Sequence, residues 1–191
     1  MKLIIATNNQ KKLKEMRAIL LKYFDSVQSL REAGIDHETV EDGTTFEENA
    51  IKKAREIAQI SGCAAVADDS GLVVDALDGE TGIYSARYAG GHGDDIANLN
   101  LVLEKMQGKV QRSARFVCAL AYVNGEETAV FRGEMEGEIN HAPVGENGFG
   151  YDPIFFLPEY GCTSAEISPE EKNQISHRAK AIKQLAEYLE R

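Results

Sequence analysis

Apolar positions along the chain change their period several times, and each change marks an element. Residues 3–6 (Leu-Ile-Ile-Ala) are an unbroken apolar run, the pattern of a short buried strand. Leu13, Met16, Leu20 and Phe24 then recur at i, i+3, i+7 and i+11, one face of a helix beginning near Lys11. Residues 27–30 suggest a second strand, and the polar stretch 31–44 a loop. Phe46, Ala50, Ala54, Ile57 and Ala58 give the buried face of a helix reaching about residue 60. Thr45 as N-cap with Glu48 at N3 has the spacing of a capping box at its start.

The centre of the chain carries two apolar runs, Ala65-Val66-Ala67 and Leu72-Val73-Val74, separated by Asp68-Asp69-Ser70-Gly71. Two readings fit: a strand end projecting both acids into a cleft, or an ordinary strand-turn-strand with an Asx-type turn. Residues 78–93 hold five glycines and read as an irregular loop, with Tyr84, Arg87 and Tyr88 suited to a lid or interface and His92 solvated. A helix follows over 95–106, with Asp94 or Asp95 as cap and Ile96, Leu99, Leu103 and Met106 on its buried face.

Residues 114–123 are apolar on both faces, as in a central strand covered on both sides. Asn124-Gly125 then signals a hairpin, and Ala129, Phe131, Met135 and Ile139 alternate inward along a return strand. An antiparallel return makes the sheet mixed. Residues 141–147 read as a loop, residues 148–153 as a turn, and residues 153–157 as a strand. Ser168, Pro169 and Glu171 occupy N-cap, N1 and N3 of one last helix with Ile175, Ala179, Ile182, Ala186 and Leu189 on its buried face. The fold class is therefore α/β, in a single domain over residues 1–191 with no repeat or linker.

The formal net charge of −10 argues against broad binding to nucleic acid or an anionic membrane. A small polyanion remains compatible, because a few lysines and a divalent cation can reverse the field locally. Cys63, Cys118 and Cys162 lack metal-ligand spacing and read as inert thiols. No run fits a signal peptide or a membrane span, so the setting expected is cytoplasmic. GxSxG, HExxH, the P-loop spacing and a dinucleotide fingerprint are all absent.

What remains is a set of acids (Glu41, Asp68, Asp69) and a set of cations (Lys11, Lys12, Lys53, Lys172, Arg178) at loop–helix junctions. Two aromatics, Phe149 and Tyr151, flank Gly150. Residues 7–12 join a strand to a helix, whose N-terminus suits a phosphate; a helix capped by Asn8 or Asn9 with solvated lysines is the plainer reading. Acids for a hard cation, cations for phosphates and aromatics for a stacked base together describe a nucleoside triphosphate site.

The blocks Thr7-Asn8-Asn9 with Lys12, Thr45-Phe46-Glu47-Glu48-Asn49-Ala50, Ala67-Asp68-Asp69-Ser70-Gly71, Gly82-Ile83-Tyr84-Ser85-Ala86-Arg87-Tyr88, Gly148-Phe149-Gly150-Tyr151-Asp152-Pro153 and Ser176-His177-Arg178 resemble, in order, the signatures of the inosine triphosphate pyrophosphatase family. The resemblance implies an elongated α/β fold, a long mixed β-sheet flanked by helices, with two lobes around a deep active-site cleft, usually as a homodimer. It implies Mg²⁺-dependent hydrolysis of ITP, dITP and XTP to the monophosphate and pyrophosphate, clearing deaminated purines from the nucleotide pool. By position, Thr7, Asn8, Asn9, Gln10, Lys11 and Lys12 would bind the triphosphate, with Lys53 and Lys172 adding charge. Glu41 and Asp69 would hold the metal, Asp69 would be the catalytic base, and Ser70 would touch substrate. Phe149, Gly150, Tyr151 and Asp152, with His177 and Arg178, would receive the base. Which of Glu41, Asp42 and Asp68 joins Asp69 at the metal stays open, because the acidic pair here is Glu41-Asp42 after Val40.

Overall fold

Strand β1 (Lys2–Ile5) is apolar because it is covered on both sides, with Leu3, Ile4 and Ile5 fully buried. The computed structural model describes residues 1–91 and 93–191, so the reading of His92 lies outside the described residues. The other strands are β2 (Ser26–Ser29), β3 (Ala64–Val74), β4 (Ser113–Asn124), β5 (Glu127–Ile139), β6 (Phe155–Leu157) and β7 (Cys162–Thr163). Among the described residues they form one seven-stranded sheet in the order β2-β1-β3-β4-β5-β6-β7. The helices are α1 (Gln10–Leu20), α2 (Phe46–Ser61), α3 (Asp95–Lys105), α4 (Pro169–Ile175) and α5 (His177–Leu189). Among the described residues no helix is long and apolar enough to cross a membrane.

The chain forms two compact units: Met1–Asp69, Cys118–Gly133 and His177–Arg191 make the first, and Ser70–Val117 and Glu134–Ser176 the second. In the first, β1 pairs in parallel with β2 (Leu3 opposite Val27) and with β3 (Leu3 opposite Ala64). Leu13, Met16 and Leu20 of α1 and Ala181, Ile182 and Leu185 of α5 close its core over Leu3, Ile5, Val66 and Leu120. Thr45 caps α2 as the spacing predicts, its Oγ1 accepting from Glu48 N at 3.1 Å. The return bond differs: the Glu48 carboxylate accepts from the N–H (2.7 Å) and hydroxyl (2.9 Å) of Thr44.

The second unit has its own core of Leu72, Val74, Leu99, Val102, Met106, Met135 and Ile139, with Phe116 tilted against Phe155 at 4.3 Å between ring centroids. Strands β4 and β5 are neighbours joined only by Gly125-Glu126, which forces them antiparallel; Gly125 takes φ +61°, as a tight hairpin requires. With β6 also antiparallel to β5, the sheet is mixed.

Several elements depart from the expected pattern. Residues 64–74 are one uninterrupted strand, so Asp68-Asp69 lies inside β3 and is neither a strand end nor a turn. On α3, Ile96 points to solvent (71% exposed), and the buried face is Asn98, Leu99 and Val102. Asn98 displaces the apolar reading because its amide pins the glycine-rich stretch, accepting from Ala89 N (2.8 Å) and donating to Ala86 O (3.1 Å). The last helix breaks at Ser176, whose ψ of 156° is extended. Lys172 before the break and Arg178 after it are both buried, each against a carboxylate of its own unit, and the break lets each be aimed separately. The capping box at Ser168 and Glu171 forms as expected; the 3-10 turns Gly82–Arg87 and Asp152–Ile154 fall in or at the edge of the segments read as loop and turn, whereas β7 and the 3-10 turn Asp75–Leu77 had no signal in the pattern.

Gly133 of β5 lets α5 approach closely: a Cβ there would sit 2.0 Å from the His177 carbonyl oxygen and 2.8 Å from Ala181 N. Both obstacles are backbone, so the helix itself has to move. Gly133→Ala should cost about 1–3 kcal/mol of stability by overpacking, measured by urea denaturation.

Candidate active site

Side chains alternate along a strand, and this separates the two adjacent acids of β3. Asp68 meets α1 and α5: its Oδ2 lies 3.1 Å from Lys12 Nζ and accepts from Nε and Nη2 of Arg178, each at 3.3 Å. Arg178 also donates to Glu15 of α1 through Nη1. Burial works against the guanidinium's charge, but Asp68 and Glu15 outweigh it and hold its pKa above the ordinary arginine value. Lys12 reaches this point because Asn9 caps α1, its Oδ1 accepting from Lys11 N (3.0 Å) and Lys12 N (3.2 Å).

Asp69 meets α2. Asn49 Nδ2 donates to Asp69 Oδ2 at 3.0 Å, and Lys53 Nζ lies 3.9 Å from Asp69 Oδ1. Lys53 bonds Glu41 Oε1 at 2.6 Å, and its neighbour Lys52 bonds Asp42 at 2.7 Å. The polar stretch 31–44 is thus laid along α2, and Glu56 holds it again through Thr39 (2.7 Å) and His37 (2.6 Å). Burial raises the pKa of Asp69, with the charge of Glu41 adding to the rise; Lys53, Asn49 and Lys12 pull it back only in part. For Lys53 the balance is reversed: burial opposes its charge, but Asp69, Asp68 and Glu41 together raise its pKa.

In the second unit the turn at 148–152 folds around Asp152. Its Oδ2 accepts from Phe149 N (2.9 Å) and from Lys172 Nζ (2.7 Å), and its Oδ1 from Ser164 Oγ (2.5 Å). Lys172 Nζ stands 5.0 Å from the centroid of the half-buried Phe149 ring. Gly148, at φ +72°, passes so close to Asp152 Oδ2 that a Cβ would lie 2.1 Å from it. Tyr151 turns into the core, its hydroxyl donating to Ser85 O at 2.5 Å; burial holds its pKa well above the usual phenol value. Gly150 N donates to Asp95 Oδ2 at 3.0 Å.

The first unit therefore brings Lys12 and Arg178 to Asp68, and Lys53 and Glu41 to Asp69, with His177 buried beside Arg178 in sequence. Thr7 is half-buried and Asn8, Asn9, Gln10 and Lys11 are exposed at the start of α1. The second brings together Phe149, Gly150, Asp152 and Lys172 at one turn, with Tyr151 facing inward and Ser70 half-buried on β3. Three partners escaped the sequence pattern: Glu15, Asn49 and Ser164. Asn49 carried the clearest signal, being a polar residue one position before Ala50 on the buried side of α2. Among the described residues no group of three or more His, Cys, Asp or Glu side chains is assembled to hold an ion.

The fold is thus a mixed α/β sheet whose strand β3 carries two adjacent buried acids, met by lysines and an arginine from the flanking helices. The chain belongs to the Ham1 family, whose sequence profile matches residues 3–188. It is 52% identical to the dITP/XTP pyrophosphatase of Exiguobacterium sp. over 97% of this chain and 95% of that one. It is 51% identical to the dITP/XTP pyrophosphatase of Bacillus subtilis over 98% and 96%. The solved Ham1 protein of Staphylococcus aureus superposes with a TM-score of 0.90 at 46% identity, covering 100% of this chain and 98% of that one.

Lys53 is the cation between two carboxylates, so its loss exposes their repulsion. Lys53→Met should cost about 3 kcal/mol at pH 7, as for a buried pair robbed of one partner. With the folded pKa of Asp69 above its unfolded value, ionisation weakens the fold as pH rises through the folded value, and protonation at lower pH relieves it. The cost of Lys53→Met should therefore shrink toward about pH 4, read by urea denaturation across the pH range. At the alkaline end the contribution of Lys53 is lost as its ammonium deprotonates, at a pH above the unfolded lysine value of about 10.4.

Proposed function

We propose that this chain hydrolyses the deaminated purine nucleoside triphosphates ITP, dITP and XTP to the monophosphate and pyrophosphate. The observation that carries the reading is the half-identical, near full-length match to dITP/XTP pyrophosphatases. The charge arrangement around β3 supports it, since phosphoryl chemistry asks chiefly for positioned charge. The match over residues 3–188 supports reading both compact units as one domain. The net charge of −10 supports the absence of nucleic-acid and anionic-membrane partners. The homodimer rests on the family resemblance alone.

Glu41 and Asp69 are the proposed Mg²⁺ ligands. They suit it: two hard oxygen donors already converge on one cation, Lys53 Nζ, and Mg²⁺ is commonly held by one or two carboxylates with substrate phosphates and water. When bound, the ion supplies positive charge against the phosphate oxygens. Asp69 accepts the proton of the water that attacks the α-phosphorus; the new P–O bond forms as the bond to the bridging α–β oxygen breaks and pyrophosphate leaves. In the first unit Thr7, Asn8, Asn9, Gln10, Lys11, Lys12 and Lys53 bind the triphosphate, and His177 and Arg178 serve base recognition. In the second, Ser70 contacts substrate, Lys172 adds charge for the phosphates, and Phe149, Gly150, Tyr151 and Asp152 serve base recognition.

Hypoxanthine and xanthine present an O6 acceptor and an N1–H donor, and adenine presents the reverse. A hydrogen-bonding pocket built for the first pattern leaves polar groups unpaired with the second, worth up to ~10⁴-fold in selectivity. Pyrophosphate release from ITP, dITP, XTP, GTP and ATP, with and without Mg²⁺, tests the reading. Turnover of the three deaminated substrates only with Mg²⁺, and far above ATP, is expected; equal rates for ITP and ATP would overturn it. Asp69→Asn should lower kcat by about 10²–10⁴-fold while the chain stays folded, as for loss of a general base.

A further inference from the structure

Asn49 is buried to 1% exposure on α2, and its amide is used at both ends. Oδ1 accepts from the Gly43 backbone N–H at 2.8 Å, and Nδ2 donates to Asp69 Oδ2 at 3.0 Å. A backbone N–H can only donate, so Oδ1 has to face Gly43, and Nδ2 is thereby committed to Asp69. Gly43 sits two residues after Glu41, and Glu41 is bound to Lys53 of the same helix. The loop approaches α2 closely enough to need a glycine there: a Cβ on Gly43 would lie 2.6 Å from Asn49 Oδ1 and 2.9 Å from Glu48 Cβ.

We propose that Asn49 is a positioning residue that locks the Glu41 loop to the Asp69 carboxylate and sets which Asp69 oxygen is presented for reaction. With Oδ2 held by the Asn49 amide, Oδ1 is the oxygen turned toward Lys53, at 3.9 Å, too long for a hydrogen bond. Loop and carboxylate then keep one fixed relation, because a single rigid amide spans them. The inference rests on the reading of Glu41 and Asp69 given above, and goes beyond it in naming what holds the two acids in register.

Two variants separate the two ends of the amide. Asn49→Asp keeps an acceptor for Gly43 N–H but has no N–H for Asp69; Asn49→Leu removes both bonds at similar size. Amide exchange at Gly43, followed by NMR, should accelerate about tenfold or more in Asn49→Leu and stay near wild type in Asn49→Asp. With ITP, kcat should fall about 10²-fold in both variants while KM stays within about threefold, as for a misplaced reacting group. A residue that merely supports the fold would lower the melting temperature and leave kcat of the folded protein unchanged. Wild-type kcat in Asn49→Asp, or unchanged Gly43 exchange in Asn49→Leu, would overturn the proposal. Should neither variant fold, Gly43→Ala applies the same test from the loop side, and wild-type kcat there would overturn it. If the wild-type chain itself releases no pyrophosphate from ITP, the functional reading fails, and Gly43 exchange alone decides whether Asn49 ties the loop down.

Discussion

The compensation of two adjacent aspartates inside a buried strand is the constraint around which the first unit is organised. Asp68 and Asp69 are nearly inaccessible, and an unpaired carboxylate in such a place costs several kcal/mol. The strand turns successive side chains to opposite faces, so each acid takes its bonded cation from a different helix, although Lys53 and Lys12 act electrostatically on both. Lys12 and Arg178 arrive from α1 and α5 for Asp68, and Lys53 arrives from α2 for Asp69. The Asn9 cap starts the helix that carries Lys12, Gly133 lets the helix that carries Arg178 approach β5, and residues 37–44 run beside the helix that carries Lys53.

The two acids are not compensated equally. Asp68 receives a lysine and a guanidinium, whose bonded arrangement is that of a structural ion pair. Asp69 receives one amide hydrogen bond and a more distant ammonium, shares that ammonium with Glu41, and keeps a raised pKa. An incompletely satisfied carboxylate beside a second acid is what a hard cation or a proton-accepting role calls for, and it weakens the fold in the absence of such a partner. Neighbouring residues in one strand thus differ in how fully their charge is compensated.

The second unit repeats the logic with a single acid. Asp152 gathers Phe149 N, Ser164 and Lys172, so the turn carrying Phe149 is fixed by a carboxylate with every oxygen engaged. Gly148 is the condition for that turn, both for its positive φ and for its distance from Asp152. Tyr151 and Phe149, alike in the sequence, part company here: one anchors the turn in the core and the other stays half-exposed beside Lys172.

By itself the sequence determined the α/β class, the hairpin at Asn124-Gly125, the caps at Thr45 and Ser168, and the cast of acids and cations, because period, turn chemistry and capping are local properties. The family could be read from six ordered blocks for the same reason. Only the tertiary structure decided that residues 64–74 form one strand, since β3 is held by its neighbour β4 and by Thr81 and Ser85, whose side chains bond the Leu72 backbone. It decided that the last helix breaks at Ser176, because Lys172 and Arg178 answer to different buried carboxylates. It also decided the partners of Asp69: Asn49 is twenty residues away in the chain, and no local pattern can express which distant amide a buried carboxylate will meet.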